Sequence, residues 1–380
     1  MNENVWGSLK KERRDKHPFW VWESIMQTPE LLKECMEGFT YEQIVNIKNK
    51  FIKKGISNIF LVGVGSSYDA SIAESFAFEK YTKLPSLSRL TSEFREYQEF
   101  NLDENSAVFF HSHSGKTKGD VETVEKAKER GAYTIAVTDH IESPLSLSTE
   151  DVLIGPGGSK AELPSSRTYS TAMFRMMLLA IELGKEISKS SKLENDEKIL
   201  RKIPKILSDV TNFYINKAAD IVEKIKDCQS FVVLSFGPNY ATADEAALGL
   251  SQSSGVPVQP WILDHYLHGP IQTLNSKMGV ILIASPGSLQ DRMVQTAKVS
   301  RLIGAKVILL SPDDLNCEVD CDVHINLPAG IPETITPVIY ITPLLQIAYH
   351  FSLLGRGCHP DRLSMDKPEF VKAFSTTSLF

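Results

Sequence analysis

The sequence has little of what marks a secreted, membrane-bound or nucleic-acid-binding chain. No apolar run reaches the ~18–20 residues needed to cross a bilayer. The longest, "TPVIYITPLLQIAYHFSLLG", is interrupted by prolines and reads as a buried helix. The opening "MNENVWGSLKKERRDKHPFW" has no apolar stretch of the kind a signal peptide carries. The five cysteines (Cys35, Cys228, Cys317, Cys321, Cys358) are scattered, and only Cys317 and Cys321 stand close, so no disulfide framework is expected. Their odd number suits a reducing compartment. A formal net charge of -6 argues against a general nucleic-acid partner. The expectation is a cytoplasmic protein with neither a membrane nor a nucleic acid as partner.

What is present is a repeated plan. At 380 residues the chain is long enough for two domains with a sizeable core in each. "SNIFLVGVGSSYDASIAESFAFEK" (57–80) shares its pattern with "QSFVVLSFGPNYATADEAALGLSQ" (229–252): an apolar run, a glycine turn, an amphipathic run. The stretch 106–139 parallels 278–312. Gly65 and Gly237, Ala107 and Gly279, and Gly115 and Gly287 are each separated by 172 positions. A constant offset through several elements indicates a duplicated domain.

Each copy reads strand, loop, helix, strand. The strand runs are apolar throughout, as parallel strands covered on both faces require. "KGDVETVEKAKERGA" reads as a helix stopped by Gly131. The predicted fold is therefore two doubly wound α/β domains with mainly parallel sheets flanked by helices. The expected boundaries are an N-terminal helical segment over 1–50, a first domain over 51–200, a second over 201–355 and a tail over 356–380. In the N-terminal segment "FWVWESIMQTPELLKECMEGF" has helical spacing with a break expected at its proline. "SKSSKLENDEKILRKIPKIL" reads as a solvated linker leading into a helix, and the tail has no strong period.

The densest chemistry is "HSHSGKT" (111–117), where a buried strand hands over to a helix. A metal site would need more ligands than His111 and His113, and none is fixed nearby by spacing. A serine nucleophile would need a positioned base, and the G-x-S-x-G elbow is missing. An anion cradle accounts for more residues at once. Ser112, Ser114 and Thr117 offer hydroxyl donors. A Ser-Gly turn exposes backbone N–H groups at a helix start, where the helix dipole favours negative charge. "GVGSSYD" adds Ser66 and Ser67, and "ELPSSRTYS" adds Ser165, Ser166 and Arg167. No metal or other cofactor is expected.

These motifs, in this order, resemble tandem sugar isomerase (SIS) domain proteins. The chain is similar to the isomerase half of glucosamine-6-phosphate synthase and to fructosamine-6-phosphate deglycases, over nearly its whole length. "GVGSSYDAS", "HSHSGKTKGD", "TSEFREY", "ELPSSRTYST" and "YLHGPIQTL" carry the resemblance. It implies that Ser112, Ser114 and Thr117, with Ser66 and Ser67, hold a sugar phosphate, and that Ser165 contacts the sugar. It implies that His268 assists ring opening from the neighbouring subunit of a homodimer with shared sites. It also implies a tail that closes over the sugar through a lysine, for which Lys367 is the nearest match. His113 replaces a glutamine and Lys116 a glutamate, which makes the cradle more cationic.

One family residue is missing. Aldose–ketose isomerisation needs a base poised over C1 and C2. The resemblance places a glutamate seven residues after Glu245, where this chain has Gln252, and a lysine where it has Gly249. Glu162 and His265 are the first substitutes, Asp264 the third, with His359 and Lys367 in reserve. His17 is read as packing near the site, and His140, His324 and His350 as structural. The expected activity is an aldose–ketose isomerase acting on a sugar with a C6 anion. The alternatives are an amino-sugar phosphate deglycase or deaminase, an isomerase of a C6-sulfonated sugar, and a sugar-phosphate sensor without turnover.

Overall fold

The computed structural model describes residues 14–98, 101–156, 166–190, 193–315, 319–356, 358–361 and 368–376. These residues form two compact units. One gathers 28–160 and 167–205; the other gathers 1–27, 161–166 and 206–380.

The chain opens with helices α1 (Trp20–Glu34) and α2 (Gly38–Lys54). Pro29 does not break α1 as expected: the helix runs through it. A proline forfeits one backbone bond, but Val21, Trp22, Ile25, Leu32 and Cys35 form a buried stripe that keeps the turns together.

The unit containing the first copy follows the α/β alternation. Its elements are β1 (Asn58–Gly63), α3 (Ser66–Thr82), β2 (Ser86–Leu90), α4 (Thr91–Tyr97), β3 (Ser106–His111), α5 (Asp120–Glu129), β4 (Tyr133–Thr138), α6 (Pro144–Ser148), β5 (Asp151–Ile154) and α7 (Arg167–Ile187). The five strands are parallel in the order β2-β1-β3-β4-β5. Phe60, Val62, Val108 and Phe110 face one apolar layer with Phe94 and Val124. Their neighbours Ile59, Leu61, Ala107 and Phe109 are equally buried, and Phe109 meets Phe78 of α3 at 5.6 Å between ring centroids. Two covered faces explain why the strands read as continuous apolar runs.

Helices α8 (Leu193–Leu200), α9 (Ile203–Tyr214) and α10 (Lys217–Ile225) then lead to the second copy. It contains β6 (Ser230–Ser235), α11 (Tyr240–Ser254), β7 (Val258–Ile262), α12 (Leu263–Leu267), β8 (Met278–Ile283), α13 (Gln290–Ile303), β9 (Lys306–Pro312), β10 (Val323–Leu327) and α14 (Pro337–Ser352). Its sheet repeats the first order, β10-β9-β8-β6-β7. The register repeats too. Ile59 pairs with Ser86 as Phe231 pairs with Val258, each partner 172 positions on. Asn58 and Ser106 correspond in the same way to Ser230 and Met278. The duplication is thus carried in the hydrogen-bond ladders and not only in composition. Helix α14 is the buried helix expected from the longest apolar run, with Pro337 in its first turn, where a missing N–H costs nothing. A short helix, α15 (Pro368–Ser375), stands in the tail, where no period was apparent.

Candidate active site

Strand order decides where a ligand belongs. In the first sheet, β1 is followed by β2 on one side, whereas β3, β4 and β5 continue on the other. The chain reverses direction between β1 and β3, and such a switch point leaves a crevice beyond the carboxyl ends of those two strands. Two glycine turns meet there.

The first turn joins β1 to α3. A Cβ on Gly63 would stand 2.8 Å from the carbonyl carbon of Ser67 and 2.9 Å from the nitrogen of Tyr68, so the strand end and the helix start are in contact and only glycine fits. Gly65 has φ +58°, a left-handed conformation suited to glycine. Ser66 and Ser67, half-buried, open a helix of 17 residues. Their backbone N–H groups lie in its first turn, where an anion is favoured.

The second turn follows β3. The N–H of Gly115 donates to the carbonyl of Ser112 at 3.0 Å, and the N–H of Leu145 donates to the carbonyl of Gly115 at 3.0 Å. Gly115 has φ +62°, and a Cβ there would lie 2.0 Å from Ser143 Oγ. Ser112 is buried, with its Oγ 2.8 Å from Thr117 Oγ1. Ser114 Oγ accepts the N–H of Lys116 at 3.2 Å. The three hydroxyls predicted for an anion are thus held within one locked turn.

Charge lies directly behind this turn. His113 Nδ1 is 3.0 Å from Asp139 Oδ2, and Arg175 Nη2 is 3.3 Å from Asp139 Oδ1. Burial alone would push the Asp139 carboxyl up. The Arg175 charge, the hydrogen bond and charge of His113, and Arg167 outweigh it and hold Asp139 below the ordinary carboxylate range. Arg167, buried at the start of α7, therefore contributes charge rather than a surface contact. His140 stacks edge-on against His113 at 5.5 Å. Asp120, the first residue of α5, is buried, and burial pushes its pKa up to about 7 against the hydroxyls of Thr117, Thr91 and Ser112 and the charge of His111. One layer deeper, His111 Nε2 lies 2.7 Å from Glu74 Oε2, and both side chains are almost wholly buried. Glu74, Asp120, Asp139 and Arg175 were not singled out in the sequence.

The second-copy candidates are less enclosed. His265 and His268 are exposed on and after α12. His265 stacks on Trp261 at 5.3 Å. Among the described residues no side chain hydrogen-bonds the imidazole of His268. The Asp264 carboxylate is exposed and engaged by Arg292 at 2.5 Å. On α11, Glu245 is buried, a Cβ on Gly249 would touch Leu345 and Ala348 of α14, and Gln252 is half-buried. His17 packs with Tyr349 (Nδ1 to hydroxyl, 2.7 Å) and Trp22, and His359 Nδ1 accepts the N–H of Asp361. His324 bonds Ser311 Oγ at 2.8 Å. Ser166 is buried immediately before α7. Glu162, Ser165 and Lys367 lie outside the described residues.

The SIS domain family matches residues 51–182, the span that holds both glycine turns. The chain is 26% identical over 365 residues to a glutamine–fructose-6-phosphate aminotransferase [isomerizing] of Pyrococcus horikoshii, covering 95% of this chain and 59% of that protein. The chain spans about 59% of the length of that curated relative. Its fold matches the C-terminal domain of glucosamine-fructose-6-phosphate aminotransferase from Francisella tularensis with a TM-score of 0.82 at 20% identity, over 91% of this chain and 99% of that one. Tagatose-6-phosphate ketose/aldose isomerase from Escherichia coli matches with a TM-score of 0.74 at 16% identity, over 90% and 94%. The duplicated fold expected from the 172-residue offset is present in both copies.

Proposed function

We propose that this protein is an aldose–ketose isomerase acting on a sugar that carries a C6 anion, held in the first copy. One observation carries this reading: Ser112, Ser114, Thr117 and two glycine turns converge at the switch point of the first sheet, backed by His113, Asp139 and Arg175. An anion there gains charge-assisted hydrogen bonds, each worth about 1.5–3 kcal/mol. The protein acts as a homodimer in the cytoplasm, with His268 of one chain serving the cradle of the next and the tail closing over the sugar.

In this reaction a base removes the proton from C2 of the open-chain aldose, and the resulting enediol takes a proton at C1. The cradle fixes the far end of the sugar, so C1 and C2 stand at a set reach from it. His268 opens the ring. Gln252 has no proton to take and orients the sugar. Glu162 and His265 are the proposed bases, with Asp264 behind them because Arg292 already engages it. Incubation with C6-phosphorylated and C6-sulfonated aldoses in deuterated water tests the reading: deuterium at C2 of recovered aldose is expected. An amino-sugar arm reports amine release, the sign of a deaminase or deglycase.

Gln252 itself favours a second reading, a sugar-phosphate sensor that binds without turnover. Tight binding of a 6-phosphosugar with no isotope exchange in any arm would select it over the isomerase.

A further inference from the structure

We infer that the second sheet keeps an anion cradle of its own and that the carboxylate of Glu333 is its resident anion. The inference stands on the second copy alone and does not depend on the substrate proposed for the first.

Gly237 and Gly287 are the counterparts of Gly65 and Gly115, 172 positions on, and they follow β6 and β8 at the switch point of a sheet with the same strand order. Gly237 has φ +53°, close to the +58° of Gly65. The two copies differ in what lies over these glycines. A Cβ on Gly287 would stand 2.9 Å from each carboxylate oxygen of Glu333, and one on Gly237 would stand 3.4 Å from Oε1. In the first copy no atom among the described residues lies within 4 Å of the point over Gly65, and the point over Gly115 is filled by the Ser143 hydroxyl, 2.0 Å away. Ser285, the fully buried counterpart of His113, directs its hydroxyl at Glu333 Oε1 across 3.4 Å.

The loop that carries Glu333 is tied to the turn after β6. The Thr336 hydroxyl donates to the carbonyl of Glu333 at 2.8 Å, and Asn239 Nδ2 donates to Thr336 Oγ1 at 2.7 Å. Thr242 Oγ1 in turn donates to Asn239 Oδ1 at 3.1 Å. A carboxylate is thereby held between the two glycine turns of the second sheet, against Gly237, Gly287 and Ser285. The surroundings also contain Asp313 and Asp314, whose charges, with that of Glu333, add to burial in pushing the Tyr340 hydroxyl up. Asp313 and Asp314 repel a second anion there, so a vacated cradle takes only a small oxyanion, and weakly.

The test is thermal unfolding of wild type, Glu333→Ala and Glu333→Gln in sodium phosphate and in sodium chloride of matched ionic strength. Glu333→Ala should melt lower than wild type in chloride. Phosphate should raise its Tm more than it raises that of wild type, by roughly 3–5 °C at a phosphate concentration tenfold above the dissociation constant. The wild-type increment accounts for the general salting effect and for binding in the first copy. Glu333→Gln keeps the shape without the charge and should also melt lower than wild type. Equal phosphate increments in Glu333→Ala and wild type would overturn the inference, as would Glu333→Gln melting with wild type. If Glu333→Ala does not fold, the Glu333→Gln comparison decides alone. A missing phosphate response in wild type would count against the first-copy cradle and leave the second-copy comparison intact.

Discussion

The two sheets share strand order and ladder register, yet the buried pairs beneath the first, Glu74 with His111 and Asp139 with Arg175, have no counterpart beneath the second. Glu74 and His111 form a buried pair in the first copy. Their counterparts 172 positions on are Ala246 and Ile283, both buried and apolar. Asp139, just past β4, gives way to Pro312 at the end of β9. Tyr169 and Thr171 of α7 match Tyr340 and Thr342 of α14 at an offset of 171, which sets Arg175 against Gln346. Gln346 is neutral, and its amide donates to the carbonyl of Thr211 at 3.0 Å. The second copy shows that the fold forms without these two pairs. Buried ions cost desolvation energy that an apolar core avoids. The Glu74–His111 and Asp139–Arg175 pairs stand under the first switch point and not the second, a reason to place the chemistry there.

The sharpest way to break this comparison is to make the first copy resemble the second. Glu74→Ala alone strands a buried imidazole and should cost roughly 3–5 kcal/mol. Adding His111→Ile completes the second copy's apolar pair and should return stability to within about 1 kcal/mol of wild type. Denaturant unfolding checks both. A double variant as weak as the single would mean that the buried pair holds the fold together.

The glycine turns offer the next contrast. Gly115→Ala forces a Cβ to 2.0 Å from Ser143 Oγ and 2.3 Å from its Cβ, at positive φ, and should cost about 3 kcal/mol. Gly287→Ala meets only the end of the Glu333 side chain, which can turn away, and should cost about 1 kcal/mol. Equal losses in urea melts would show that the two turns are equally rigid.

A further contrast concerns pH. The Asp120 carboxyl titrates near 7 in the folded protein, against about 4 when unfolded. A raised carboxyl pKa gives stability that is complete below pH about 4 and is lost as pH rises towards 7. Asp120→Asn cannot titrate, so its stability relative to wild type should improve between pH 4 and pH 8 by at most about 4 kcal/mol, three pKa units at about 1.4 kcal/mol each. Arg292, the counterpart of Asp120 in the second copy, is half-exposed and paired with Asp264, so Arg292→Gln should show no such slope. Parallel stability profiles for Asp120→Asn and wild type would contradict the burial argument.

Much of the scaffold was legible in the sequence because it depends on local pattern. Apolar runs gave the strands, glycines gave the turns, and the constant offset gave the duplication. The hydroxyls of Ser112, Ser114 and Thr117 were legible because one short turn holds them all. The Glu74–His111 pair was not, because α3 and β3 bring together residues far apart in the chain, and Glu74 alone looks like any helix glutamate. Asp139 and Arg175 were hidden for the same reason. The signal that reveals them is the comparison of the two copies position by position: a charge in one opposite an apolar or neutral residue in the other. Pro29 misled because its cost to a helix is local, whereas the buried stripe that offsets it runs the length of α1.

The claim that the first copy, and not the second, holds the sugar's anion is tested most directly by calorimetric titration with a 6-phosphorylated aldose such as glucose 6-phosphate. Wild type should bind it. Ser112→Ala, Ser114→Ala and Thr117→Ala should each weaken binding roughly ten- to a hundredfold, the loss of one charge-assisted hydrogen bond. Ser285→Ala, which removes the hydroxyl of the second copy's turn at the place of His113, should leave the affinity unchanged. Unchanged affinity in all three first-copy variants, or an equal loss in Ser285→Ala, would contradict the account.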